Sequence, residues 1–126
     1  MFKFDKINNE YILTEDYSIK LNFQVKDVEL FFCSIKNNIL TIKEGYRWNG
    51  CNIIIDTKAN MRAGCVHDCL YSLLQLHILD WKYRKYIDLL FRKIWLEDGN
   101  TIIDYIRSTY SYIGLFIFGG IYLKYK

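Results

Sequence analysis

The chain has 126 residues, 52% hydrophobic and 17% aromatic, with a formal net charge of +3. That length fits one domain, and the apolar content excludes a disordered chain. The basic residues are scattered instead of forming a stripe, which argues against a nucleic-acid partner.

Residues 1–55 read as a β region. Ile19, Leu21, Phe23 and Val25 alternate with Lys20, Asn22, Gln24 and Lys26, the period of a half-buried strand. Val28 to Ile35 reads as a second strand. Asn37-Asn38 is a turn into a third, Ile39 to Lys43. Gly45 and Gly50 bracket an irregular stretch around Tyr46 and Trp48, where glycines permit unusual backbone angles. Trp48 is expected to pack, with the lining of a pocket as the sharper alternative.

From Asp56 the period changes to that of a helix. Asp56 or Thr57 is an N-cap, and the first helix runs from about residue 60 to 76. His77 to Asp80 form a connection, with His77 near a helix end. Asp80 caps a second helix from Trp81 to about Glu97, whose apolar stripe is Tyr83, Ile87, Leu90, Phe91 and Ile94. Lys82, Lys85, Arg92 and Lys93 read as its solvated face. Asp98-Gly99-Asn100 ends it. A third helix runs from Thr101 to about Ile113, followed by an apolar tail to Leu123. The tail is shorter than a membrane span, so it reads as a buried terminal helix and strand. The alternative is a membrane-surface anchor with Lys124 and Lys126 at the headgroups. The fold class expected is α+β: one domain over 1–126, an N-terminal antiparallel β region before about three helices.

The four cysteines are Cys33, Cys51, Cys65 and Cys69. Met1 to Asp5 show no signal-peptide core, so the cysteines read as thiols in a reducing compartment. Cys65 and Cys69 lie one helical turn apart, with Cys51 or His67 to complete a zinc site. Zinc sites generally use closer C-x-x-C pairs, so zinc is not expected. Cys51 as a nucleophile with His67 as its base is a further, unselected arrangement.

His67 and Tyr71 lie four residues apart on one helix face. Asp68 is turned from His67 by about 100°. A short connection sets the next helix antiparallel, which brings Asp88 back toward His67. An imidazole can take a proton from water near neutral pH, and a carboxylate on its far nitrogen fixes the tautomer. The same residues, with Arg62 and Arg84, could equally form a buried polar network and interhelical salt bridges with no turnover.

Trp48-Asn49-Gly50, Ile55-Asp56-Thr57-Lys58 and Met61 to Tyr71 with Val66-His67-Asp68 form an ordered series. Arg84, Asp88 and Gly119 continue it. The series resembles a phage and prophage family, domain of unknown function 1353. Asn49 stands where that family has Asp. The resemblance implies a phage-encoded protein, in the host cytoplasm or the virion, with other phage proteins or a membrane surface as partners. Locally, His67-Asp68-x-x-Tyr71 is similar to phospholipase A2. That likeness implies His67 as the base, Asp68 as a calcium ligand, Tyr71 as a support and Asp88 as the orienting carboxylate. It makes the loop from Gly45 to Gly50 a candidate calcium loop. The implied activity is metal-assisted hydrolysis of an ester or phospholipid. A non-catalytic phage accessory or virion protein is the alternative.

Overall fold

The computed structural model describes residues 1–50, 57–99 and 101–125, with side chains described through residue 117. Cys51, Asp56, Asn100, Lys126 and the side chains of Phe118 and Lys124 lie outside that description. The chain forms two compact units, Met1–Gly50 and Cys51–Lys126. Antiparallel strands make the first and three helices the second, so the chain is α+β.

The strand unit holds two sheets. In one, β1 (Phe4–Ile7), β2 (Glu10–Leu13) and β7 (Arg47–Trp48) pair in the order β1-β2-β7. In the other, β3 (Tyr17–Lys20), β4 (Val28–Glu29), β5 (Cys33–Lys36) and β6 (Ile39–Ile42) pair in the order β3-β6-β5-β4. Cys33, Ile35, Leu40 and Ile42 are fully buried and alternate with exposed or half-buried neighbours, as a one-sided sheet requires. The hairpin between β5 and β6 turns at Asn37 and Asn38, with φ of 51° and 62°. Two successive positive φ values match the right-handed twist of the strands, and Asn tolerates them better than most residues.

Two expected strands are shorter than their patterns. The alternation from Ile19 to Val25 is a strand only as far as Lys20. Beyond it, the Leu21 N–H donates to the Asn38 carbonyl, and the Val25 N–H donates to Asn38 Oδ1 at 3.1 Å. A turn side chain thus takes a donor that a sheet ladder would otherwise use. Leu21 and Phe23 stay buried all the same, so the alternation reports burial without a strand. The second expected strand, Val28 to Ile35, is broken into the hairpin β4-β5, because the Leu30 N–H closes on the Cys33 carbonyl at 2.8 Å. Lys43 Nζ holds that turn through the Leu30 carbonyl and Glu29.

In the helical unit, α1 (Met61–Gln75) follows a 3₁₀ turn over Lys58–Asn60. Thr57 stands at the N-cap of that turn, its N–H donating to Asn60 Oδ1 at 3.0 Å. His77 has φ of 60°, the left-handed residue that ends α1. Asp80 accepts from the Lys82 N–H and caps a second 3₁₀ turn, Trp81–Tyr83, that leads into α2 (Arg84–Asp98). α1 and α2 run antiparallel: Arg62, at the start of α1, donates to both carboxylate oxygens of Asp98, at the end of α2, at 2.9 and 3.0 Å, and to Glu97 at 3.0 Å. Arg62 thus makes an interhelical salt bridge, as one reading of the sequence allowed, and the antiparallel overlap sets it at the far end of α2.

α3 (Ile102–Tyr125) is one continuous helix. The expected break near Ile113 into a buried helix and strand does not occur, because Gly114 is accommodated inside the helix. Thr101 and Asp104 cap it reciprocally: Thr101 Oγ1 accepts from the Asp104 N–H and donates to Asp104 Oδ2. Those bonds, first the Thr101 hydroxyl and then the Trp95 indole, hold the Asp104 carboxyl below its ordinary pKa. No described helix is long and apolar enough to cross a membrane.

Gly99 joins α2 to α3 where the chain passes closest to the turn before α1. A Cβ there would meet Ala59 Cβ at 2.5 Å and Asp104 Oδ2 at 2.7 Å. The Asp104 tip could swing away, but Ala59 Cβ is fixed to backbone. Gly99→Ala is therefore expected to destabilise the helical unit by about 1–3 kcal/mol, the usual cost of overpacking. Urea unfolding followed by circular dichroism at the helix band checks this.

Candidate functional site

The site is built where α1 and α2 face each other. Ten of the fifteen residues of α1 are buried, so it is a core helix on most of its circumference. α2 buries one stripe: Ile87, Asp88, Leu90, Phe91, Ile94 and Trp95. Asp88 is the one acidic residue in that stripe, and it is 1% exposed. A carboxylate so placed is costly unless its oxygens find partners.

Its partners come from α1. His67 Nε2 lies 2.9 Å from Asp88 Oδ1, and the Tyr71 hydroxyl donates to the same oxygen at 2.6 Å. A carboxylate accepts, so the imidazole presents Nε2–H to it. The spacing of four residues stacks the two rings, with centroids 4.0 Å apart, so that both reach one oxygen. Phe91 closes the far side of the imidazole, its centroid 5.0 Å from that of His67, and Trp95 meets Phe91 edge-on. Among the described residues no protein group bonds His67 Nδ1. The side chain of His67 keeps 14% exposure.

The second oxygen of Asp88 has no hydrogen-bond partner. Its charge is answered by Arg84 Nη1 at 3.5 Å, one turn earlier on α2. Arg84 also donates to the α3 carbonyls of Leu115 at 2.8 Å and Phe116 at 3.3 Å. Arg84 therefore links its own helix to α3 and also interacts with Tyr71 of α1.

Sequence-derived candidates thus separate into groups. His67, Tyr71, Asp88 and Arg84 converge. Arg62 ends in the clamp at Asp98. Asp68 stands beside His67 on α1, half-exposed, and its charge together with burial raises the pKa of the Cys65 thiol, burial being the larger cause. Cys65 and Cys69 are fully buried core thiols. Among the described residues, no group of three His, Cys, Asp or Glu side chains could hold a metal ion. Gly45, Trp48, Asn49 and Gly50 belong to the strand unit. There Gly45 and Gly50 take φ of 91° and 78°, as glycine-dependent turns do. Trp48 is 2% exposed and packs among Phe2, Phe4 and Tyr11. Asp56 lies outside the described residues.

Sequence reasoning missed Phe91 as the lid on the imidazole. The signal was present: Asp88, Phe91 and Trp95 recur at the three- and four-residue spacing of one helix line. Compared with known proteins, the chain matches no family model, no curated protein and no solved structure.

Burial, then the Asp88 charge and bond, push the Tyr71 phenol well above its ordinary pKa near 10. The neutral phenol is the form that the fold favours. Its contribution is complete below the unfolded pKa and is lost as pH climbs toward the folded value, because the unfolded phenol ionises first. Stability should thus fall above pH 10 with a slope of about 1.4 kcal/mol per pH unit from this group alone. Tyr71→Phe should remove that part of the slope and cost about 1–3 kcal/mol at neutral pH, since a buried carboxylate oxygen loses a donor. Paired urea titrations of both proteins at neutral and alkaline pH isolate the effect from the other tyrosines.

Proposed function

We propose that the chain is a small phage-type hydrolase of ester or phospholipid substrates, with His67 as general base and Asp88 as its orienting carboxylate. The observation that supports the reading most is the shared oxygen: Asp88 Oδ1, sealed from solvent, takes His67 Nε2 at 2.9 Å and the Tyr71 hydroxyl at 2.6 Å. This is the arrangement that a histidine base needs. With Nε2–H held, the lone pair is on Nδ1, and no described protein group occupies it.

The step follows from that. Nδ1 takes a proton from water as the water oxygen bonds to the ester carbonyl carbon or the phosphorus. The imidazolium formed is stabilised by the Asp88 carboxylate, which Arg84 faces at 3.5 Å. The proton then passes from Nδ1 to the departing alkoxide as the ester bond breaks. Tyr71 positions Asp88 and does not touch the reacting atoms.

Calcium belongs to this proposal only through Asp68. The described side chains do not by themselves make a cation site, so no step is written through the metal. When bound, calcium would polarise the carbonyl or phosphoryl oxygen.

A second reading is favoured by Arg84. Its reach from Asp88 to the carbonyls of α3 makes the same cluster a tie among the three helices. In that case the chain is a non-catalytic accessory or virion protein.

One assay separates them. The full chain is given an aryl ester and, separately, phosphatidylcholine–detergent micelles, each with calcium and with chelator. The hydrolase reading expects turnover that His67→Ala and Asp88→Asn lower by about 100- to 10,000-fold, the usual worth of a positioned general base. Wild-type turnover no greater than that of His67→Ala would overturn it and leave the structural tie.

A further inference from the structure

α3 is built inside out. Its inward side carries polar residues beside the half-buried Leu115: Ser108 is fully buried, Ser111 is 8% exposed, and both hydroxyls bond carbonyls of their own helix. Asp104 on the same side receives the Trp95 indole N–H of α2. The outward side is apolar. Ile103, Ile106, Tyr110, Ile113 and Ile117 are exposed to 61%, 50%, 74%, 47% and 56%.

These five recur at intervals of three, four, three and four residues. They fall within about 80° of the helix circumference. A three-four alternation is the heptad spacing that keeps one seam facing a neighbouring helix. A helix that needed only to dock on α2 would put its isoleucines inward and its serines outward. The reverse arrangement leaves the seam without a partner inside the helical unit.

We propose that α3 packs along this seam against α3 of another copy of the same chain. The repeat calls for a helix as the occupant, and a second α3 brings the same repeat. Area agrees. With Ile102, Tyr105 and Phe116 at its margins, exposed to 77%, 55% and 51%, the stripe offers on the order of the 800 Å² per partner that a standard stable interface buries. Charge argues against a lipid surface. Helices that lie on membranes carry many Lys and Arg residues on the polar face, whereas the 24 residues of α3 include only Arg107 and Lys124 as bases, with Asp104 as an acid, a net +1. Isoleucine at both kinds of seam position favours an assembly of three or more strands over two.

The full chain is measured by size-exclusion chromatography with light scattering, across a dilution series, beside the double variant Ile106→Asp/Ile113→Asp. Both positions are about half exposed, so helicity by circular dichroism should not change. The expected result is a wild-type mass at least twice 15.2 kDa, falling to the single-chain mass in the variant. A wild type that stays at the single-chain mass at its highest soluble concentration overturns the proposal, whether or not it binds phosphatidylcholine–phosphatidylglycerol vesicles. So does an oligomer whose mass the double variant leaves unchanged. If the variant loses helicity, Tyr110→Glu on the same seam replaces it, with the same two readings.

Discussion

A carboxylate buried to 1% exposure is the constraint on which the helical unit depends. A carboxylate so placed is costly unless its oxygens find donors, and α1 supplies them from two residues one turn apart. The requirement fixes the rotation of α1 against α2, since a turn of either helix would strand the charge in the core. Breaking such a buried arrangement by removing one partner is far more costly than losing a surface ion pair. Arg84 extends the same constraint to α3, because the group that answers Asp88 also bonds carbonyls of that helix.

The rest of the unit secures what Asp88 specifies. The Arg62 clamp at the far end fixes how far α1 and α2 slide along each other, through two bonds in fork geometry. Gly99 lets the chain turn into α3 at a point too close for any side chain. Trp95 joins these devices: its ring packs on Phe91 below the imidazole, and its N–H reaches the cap of α3. Rigid packing of this kind is what a catalytic histidine requires, and it equally serves a structural tie. The difference between the two readings lies in what reaches His67 Nδ1.

Much of this was legible in the residues. The helix limits follow from Asp80, His77 and Gly99, each of which carries local hydrogen-bonding or backbone chemistry at a fixed offset. The meeting of His67 and Asp88 follows from two helical periods and a short connection. What escaped the sequence has a common physical cause: side chains that act at a distance along the chain. Asn38 takes the Val25 N–H and ends a strand that the alternation extended. Arg62 finds Asp98 because antiparallel helices align their opposite ends, a matter of length and not of motif. The apolar tail read as buried because apolar residues are usually inside; as far as Ile117, α3 instead turns Ile113, Phe116 and Ile117 outward, and the side chains beyond lie outside the described residues.

The central claim is that Asp88 fixes the tautomer of His67. Long-range ¹H–¹⁵N correlation of the imidazoles tests it directly at neutral pH. The chain has two histidines, so a His77→Gln variant completes the assignment. The account predicts a neutral His67 ring protonated at Nε2, with that proton slow to exchange, and loss of this signature in Asp88→Asn. A ring protonated at Nδ1, or a spectrum that Asp88→Asn leaves unchanged, would contradict it.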